Sequence, residues 1–313
     1  MFNLKKSIQL LQSGGIVAFP TETVYGLGGD AANPVALKKI FSIKDRPADH
    51  PLIVHIAELD QLSQWAVDIS ENALQLAKAF WPGPLTLILK KAPSVLDLVT
   101  GGQETIGLRI PNHPMALALL KEWGGGLAGP SANRFGRISP TTASAVQEEL
   151  GSEVDLILDG GQCTVGVEST IVDARGDSIQ ILRPGMITVN QIEAIVPHPI
   201  FTKKEKSPRV SGSMASHYAP KTKTRLITSP IEVVHFPCAL LTHTPWVINK
   251  ALVNCISMPE DPAGYAHQLY HVLREVDKQG LQEILIEAVP DGSEWEAIRD
   301  RLKRASMNDR FTI

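Results

Sequence analysis

Cysteine is scarce in this chain of 313 residues. Cys163, Cys238 and Cys255 are widely spaced and odd in number. That is neither a disulfide framework nor a zinc spacing, and it fits a reducing cytoplasm. No stretch of ~18 uninterrupted apolar residues occurs, which excludes a membrane-spanning helix. Residues 1–14 place Lys5 and Lys6 before a short amphipathic run and lack the apolar core and cleavage site of a secretion signal. The expectation is a cytoplasmic protein with no membrane partner. Several catalytic signatures are missing as well. There is no G-x-x-x-x-G-K-[ST] loop, no H-E-x-x-H and no G-x-S-x-G elbow. His267 and His271 lie one helical turn apart without the intervening Glu, and read as surface residues of a helix.

What is present suffices for a packed core. Hydrophobic residues make up 43% and charged residues 20%, with a net charge of -3, so disorder over the whole length is excluded. At roughly 150 residues per domain, the length suggests about two domains. The charge is uneven. Residues 1–200 hold 15 Lys and Arg against 20 Asp and Glu, whereas 201–225 holds seven basic residues (Lys203, Lys204, Lys206, Arg209, Lys221, Lys223, Arg225) against Glu205 alone. That basic stretch is either a solvated linker or one lying near an anion. A pI of about 6.3 argues against broad nucleic-acid binding.

Periodicity predicts helices over 4–12, 34–43, 114–123, 142–150 and 189–195, and strands over 15–19, 52–56, 85–90, 105–110, 156–158, 169–172 and 179–182. Residues 197–220 are polar, basic and aperiodic, and read as an interdomain segment. Beyond it, strands over 224–227 and 239–241, a helix over 265–276, a strand over 284–288 and a helix over 295–305 suggest a small α/β domain. The expected division is a catalytic domain over 1–196, a linker over 197–222 and a C-terminal α/β domain over 223–313. Residues 26–31 match G-x-G-x-x-A, but Pro20–Thr23 separates them from the nearest strand, which argues against a dinucleotide site.

Six small-polar and basic clusters stand at the predicted strand ends: 19–28, 44–47 with 51–55, 107–111, 129–133 with 139–141, 167–170, and 183–185. In an open α/β sheet, ligands bind beyond strand ends. Arg46, Arg109, Arg183 and Lys44 placed there suit phosphates or carboxylates. Taken singly, each is as well explained by a structural salt bridge.

Together these clusters resemble the YrdC/Sua5 family of L-threonylcarbamoyladenylate synthases. The Lys-x-Arg and Ser-x-Asn signature appears as Lys44, Arg46, Ser131 and Asn133, and His217-Tyr218-Ala219-Pro220 resembles the linker of the long Sua5 form. The resemblance implies an α/β fold: a twisted open sheet with flanking helices, plus a smaller Rossmann-like C-terminal domain. It implies conversion of L-threonine, bicarbonate and ATP to threonylcarbamoyl-AMP and pyrophosphate. The product supplies threonylcarbamoyladenosine at position 37 of tRNA through a transfer machinery.

By position, Thr23, His55, Arg109, Gly129 and Ser169 should line a threonine pocket, with Arg109 on the threonine carboxylate. Lys44, Arg46, His50, Thr105, Ser131, Asn133, Ser139, Arg183 and Tyr218 should hold ATP, with Tyr218 closing over it. Mg2+ should arrive on the phosphates without a direct protein ligand, and no organic cofactor is implied. Neither a nucleophile nor a general base is assigned, so catalysis should rest on positioning and charge neutralisation. Glu22 could orient a base, bind metal or hold an arginine.

The chain departs from the family pattern at His50 (often Asn), Gly129 (often Ala), Phe135 (often a small residue) and 211–214 (often containing Pro-Gly). Two other readings compete: an enzyme forming a carbamoyl adenylate from carbamoyl phosphate, and a non-catalytic RNA-binding module. The net -5 of residues 1–200 weighs against strong phosphate-backbone contact.

Overall fold

The computed structural model describes residues 3–176, 178–196, 199–200, 207–212, 214, 217–233, 237–246 and 253–307. Lys203, Lys204, Glu205 and Lys206 of the basic stretch lie outside the described residues. None of the described helices is long and apolar enough to cross a membrane.

The larger unit is built on a mixed sheet of 11 strands. Edge to edge its order is Pro199–Ile200, Ile179–Arg183, Thr170–Asp173, Leu85–Lys91, Thr105–Arg109, Ile53–His55, Leu127–Ala128, Gly26–Asp30, Val17–Phe19 and Leu156–Ile157, with Ala66–Val67 pairing onto Leu85–Lys91. Side chains alternate between faces. Ile16 and Ala18 join a core with Leu37, Ile40 and Val54. Val17 and Phe19 join another with Leu119, Leu120 and Leu158. Both faces are thus covered, the period of two being set by the pleat.

Local chemistry places the helices. Pro34–Lys44 starts at Asn33, whose side chain accepts from the Val35 N–H, with Pro in the first turn. Pro114–Trp123 is capped by His113 and ends at Gly124, in the left-handed region at φ 75°. Glu71–Phe80 was not anticipated, although Ser70 caps it by accepting from the Ala73 N–H, and Ala73, Leu76 and Ala77 form its buried stripe.

The glycine-rich segment, already read as no dinucleotide site, is itself a strand that periodicity did not predict. Gly26–Asp30 is a strand antiparallel to Val17–Phe19. The Phe19 ring lies across it, and a Cβ on Gly28 would stand 2.9 Å from both that ring and the Val17 carbonyl oxygen. These glycines answer to close packing, not to a phosphate.

The C-terminal unit is a four-stranded parallel sheet in the order Lys223–Ile227, Glu283–Glu287, Cys238–Thr242, Val253–Ser257. Its helices are Pro262–Asp277 and Glu296–Ala305. Val253–Ser257 was missed. It is an edge strand with Asn254 and Cys255 exposed, so it carries no continuous apolar run.

The two units share a core. Val24, Ile138 and Val167 of the first pack with Tyr218 and with Tyr265, Leu269 and Trp295 of the second. Gly166, at φ 87°, lets the backbones touch, since a Cβ there would lie 2.3 Å from the Ala266 carbonyl oxygen.

Replacing Gly28 with Ala should destabilise the protein by about 1–3 kcal/mol through overpacking against Phe19. Denaturant unfolding measures this, and adding Phe19→Leu should recover part of the loss.

Candidate active site

Several segment ends converge on one cavity. In the parallel pair Ile53–His55 and Thr105–Arg109, His55 stands opposite Arg109. Gly129 follows the strand Leu127–Ala128, and Ser169 precedes Thr170–Asp173. Lys44 ends its helix, and the left-handed Asp45, at φ 50°, turns the chain so that Arg46 faces the same space. The cavity holds about 50 Å³. Residues 211, 212, 217 and 218 of the linker form part of its wall.

One side is cationic. Lys44 is 1% exposed, and its ammonium donates to the Ser131 carbonyl at 2.5 Å and the Asn133 carbonyl at 2.6 Å. Burial, and then the neighbouring Arg46 charge, push the amine well below its ordinary pKa. Asn133 donates to the Arg134 and Arg137 carbonyls, while its buried Oδ1 makes no hydrogen bond. Arg46 donates to the Pro51 carbonyl and the Ser211 hydroxyl and lies 5.3 Å from the Phe135 ring centroid. Its buried Nε lacks a partner, and burial lowers its pKa to about 10. Arg183 donates to the Ser169 carbonyl and hydroxyl and to the Ser211 carbonyl. His217 is buried among these cations. Burial first, then Arg46 and Lys44, hold it far below 6.5, so its ring is neutral.

The other side is more nearly neutral. Arg109 Nε donates to the Gly83 carbonyl at 3.2 Å. Its Nη2 lies 2.7 Å from Glu22 Oε1, both side chains 5% exposed. The contact is an ion pair without hydrogen-bond alignment, so both atoms keep bonding capacity. Glu22 Oε2 accepts from the Asn112 N–H. Of the roles open to Glu22, the structure shows it holding an arginine. Thr21 and Thr23 hydroxyls lie 2.9 Å apart. His55 meets the Phe19 ring edge-on at 5.5 Å. A Cβ on Gly129 would come within 2.8 Å of His55 Nδ1, so the space this glycine leaves is taken up by the imidazole.

Sequence reasoning left Glu168 without a role, although it stands within the 167–170 cluster. It is buried in the cavity wall. It accepts from the Ser139 hydroxyl at 2.6 Å, the Tyr270 hydroxyl at 2.9 Å and Arg301 Nε at 2.8 Å. Burial alone would raise its pKa, but Arg301, Arg183 and Ser139 outweigh that and hold the carboxyl below its usual range. A charge in the otherwise small and apolar run 165–172 was the available signal. Its partners Tyr270 and Arg301, more than a hundred residues away, were not.

The cavity brings together Thr23, Lys44, Arg46, His55, Arg109, Gly129, Ser131, Asn133, Ser169, Arg183 and Tyr218. Three expected ATP contacts do not reach its lining. His50 turns its ring edge to Phe135 at 5.1 Å. Thr105 faces a separate small cleft with Gln103 and Val210. Ser139 is fully buried and acts on Glu168. Nor does the described basic charge of 201–225 gather at the cavity. Arg209 pairs with Asp49 at 3.0 Å, and Lys223 and Arg225 pair with Glu283, each at 3.3 Å. Among the described residues no group of three or more His, Cys, Asp or Glu could hold a metal, and both Glu168 oxygens are already engaged. This donor set does not fit a resident ion.

A two-unit α/β protein with a cation-lined cavity at its strand ends is the class that fold and site define. Residues 9–185 match the Sua5/YciO/YrdC family, described as telomere recombination. Residues 187–307 match the family described as threonylcarbamoyl-AMP synthase, C-terminal domain. The chain belongs to the Sua5/YrdC family in its long, two-domain form. It is 38% identical over 311 residues to a threonylcarbamoyl-AMP synthase of Pyrococcus abyssi, covering 95% of this chain and 92% of that one. It is 39% identical over 321 residues to the protein of the same name in Bacillus subtilis, covering 97% and 92%. The solved structure of P. abyssi Sua5 complexed with L-threonine superposes with a TM-score of 0.90 at 34% identity, covering 97% of this chain and 94% of that one.

Burial, then the Arg109 charge, lower the His55 pKa from 6.5 to about 3. Between those values the unfolded chain binds a proton that the folded one does not. Stability therefore rises as pH rises across this window, by about 1.4 kcal/mol per unit for one such group, and is lost on acidification. Unfolding titrations at several pH values should show His55→Gln with a shallower slope than the parent.

Proposed function

We propose that this chain is a threonylcarbamoyl-AMP synthase, using L-threonine, bicarbonate and ATP. The observation that carries this reading is the single cavity in which Lys44, Arg46 and Arg183 stand beside Arg109, Thr23 and His55. One end offers cations for a polyphosphate, the other a guanidinium for an amino-acid carboxylate. We read the chain as a catalytic domain over 1–196, a linker over 197–222 and a C-terminal domain over 223–313.

In this scheme the threonine nitrogen attacks the bicarbonate carbon, and a proton and hydroxide leave as water. A carbamate oxygen then attacks the α-phosphorus, and the bond to the bridging oxygen breaks, releasing pyrophosphate. Arg109, steadied by Glu22 and Gly83, takes the threonine carboxylate as a planar fork. Thr23, His55, Gly129 and Ser169 close around the amino acid. A neutral imidazole at His55 keeps that wall from competing for the carboxylate.

Lys44 and Arg46 meet the triphosphate, with Ser131 and Asn133 beside them. Arg183 lies nearer the linker, and Ser139 acts through Glu168. Mg2+ enters as part of the MgATP substrate. The buried amine and guanidinium repel each other in the free protein, and an incoming polyanion relieves that repulsion as negative charge develops on the leaving group. Tyr218 covers the nucleotide, so the linker must leave the cavity for ATP to enter. The product is a mixed anhydride, suited to transfer onto the adenosine of a tRNA by a separate machinery.

Incubation with ATP, bicarbonate and L-threonine should release pyrophosphate only when threonine is present. Threonine-independent release, or none, would overturn the proposal. Carbamoyl phosphate in place of threonine and bicarbonate should give no release. Arg109→Lys keeps a charge opposite Glu22 but loses the fork. It should raise the threonine KM by about tenfold or more, with a smaller change for ATP.

A further inference from the structure

The linker tyrosine is held in an unusual way. Tyr218 is 1% exposed and sits in the left-handed region at φ 60°, which a bulky residue adopts only when its surroundings enforce it. Its buried hydroxyl makes no hydrogen bond. The ring is therefore located by its faces and edges. The Arg301 guanidinium lies 5.1 Å from its centroid, Tyr270 stacks against it at 5.8 Å, and His217 meets it at 4.1 Å. Arg301 and Tyr270 belong to the C-terminal domain, and both also bond the Glu168 carboxylate in the cavity wall.

We propose that Arg301 is a positioning residue for the reaction, fastening Tyr218 and Glu168 into one unit so that the C-terminal domain sets the closed state of the nucleotide site. Its side chain is fully buried, and its nitrogens donate to Glu168 Oε2, the Glu168 carbonyl, the Pro184 carbonyl and Asp300. One flat cation thus spans the linker tyrosine, the wall carboxylate and the turn after Arg183. The same helix grips the linker backbone on the near side of Tyr218. Arg304 donates to the Met214 carbonyl, and its own carbonyl accepts from the His217 N–H. A salt bridge that merely joined two domains would need neither the ring contact nor the cavity wall. Ser169, on the proposed threonine side, is held independently by Thr86 at 2.7 Å and by Arg183. Loss of Arg301 should accordingly be felt by ATP more than by threonine.

This inference rests on the ATP site proposed above, and its test separates the two. Arg301→Gln, Arg301→Lys, Tyr218→Ala and the double variant Arg301→Gln with Tyr218→Ala are made in the full chain, and thermal melting establishes that each is folded at the assay temperature. Arg301→Gln should raise the KM for ATP by about tenfold or more, while the KM for threonine moves by less than about threefold. In the Tyr218→Ala background the same substitution should add little, because the two residues act as one unit. A wild-type KM for ATP in folded Arg301→Gln overturns the proposal, as do effects that multiply in the double variant. Should Arg301→Gln fail to fold, Arg301→Lys carries the test. It keeps charge beside Glu168 but not the flat group over Tyr218, and a wild-type KM for ATP there is equally decisive. Limited proteolysis gives a readout independent of turnover. Arg301→Gln should speed cleavage within 207–218, and unchanged cleavage overturns the clamp. Absence of threonine-dependent release by the parent protein would instead count against the proposed activity.

Discussion

The structure turns on one buried carboxylate. Glu168 belongs to the larger unit, yet two of its three side-chain donors, Tyr270 and Arg301, come from the C-terminal unit. Taking an ion pair out of water costs several kcal/mol per charge, and mutual attraction offsets this only when the remaining donors and acceptors are satisfied. Here they are: Ser139 completes the carboxylate, and Asp300 and Pro184 complete the guanidinium. Such a network does more for uniqueness than for stability. It fixes which face of one domain meets which face of the other.

The same low-dielectric setting shapes the cavity. Lys44, Arg46 and Arg183 are all buried, and each is shifted toward its neutral form by burial, with cationic neighbours adding to the effect. Backbone carbonyls carry most of the compensation, through Ser131, Asn133, Pro51 and Ser169. Carbonyl dipoles steady a cation without cancelling it, so the positive charge remains available. Phe135 adds a ring face beneath Arg46 and edges toward His50 and His217. The bulky residue that departs from the family pattern is thus a packing element of the cationic wall.

Much of this was legible in the sequence, for definite reasons. Strands such as Leu85–Lys91 and Thr105–Arg109 are apolar runs between breakers, and the helices Pro34–Lys44 and Pro114–Trp123 announce their starts with proline. Cavity residues on either side of a strand end fell into place because strand ends set direction. What escaped lacked a local signal. Gly26–Asp30 is a strand with almost no strand propensity, held by Phe19 across it. Val253–Ser257 is half solvated. The pairing of Glu168 with Arg301 spans 133 residues. Thr105, Ser139 and His50 show the converse failure, since a polar residue near a strand end can turn toward a neighbouring wall instead of the cavity.

Ser211 ties the linker to two cations of the cavity. Its hydroxyl accepts from Arg46 and donates to the Pro51 carbonyl, and its carbonyl accepts from Arg183. The chain therefore supplies its own oxygen ligands to two of the cations expected to meet phosphate. On the proposed reading, Ser211 and phosphate compete for the same cations, so only the fraction of molecules with those contacts released admits the nucleotide, over which Tyr218 then closes. The apparent dissociation constant equals the intrinsic one divided by that fraction. On that reading, substitutions around Ser211 retune nucleotide affinity through the population of released linker, so the set point for binding lies in the linker.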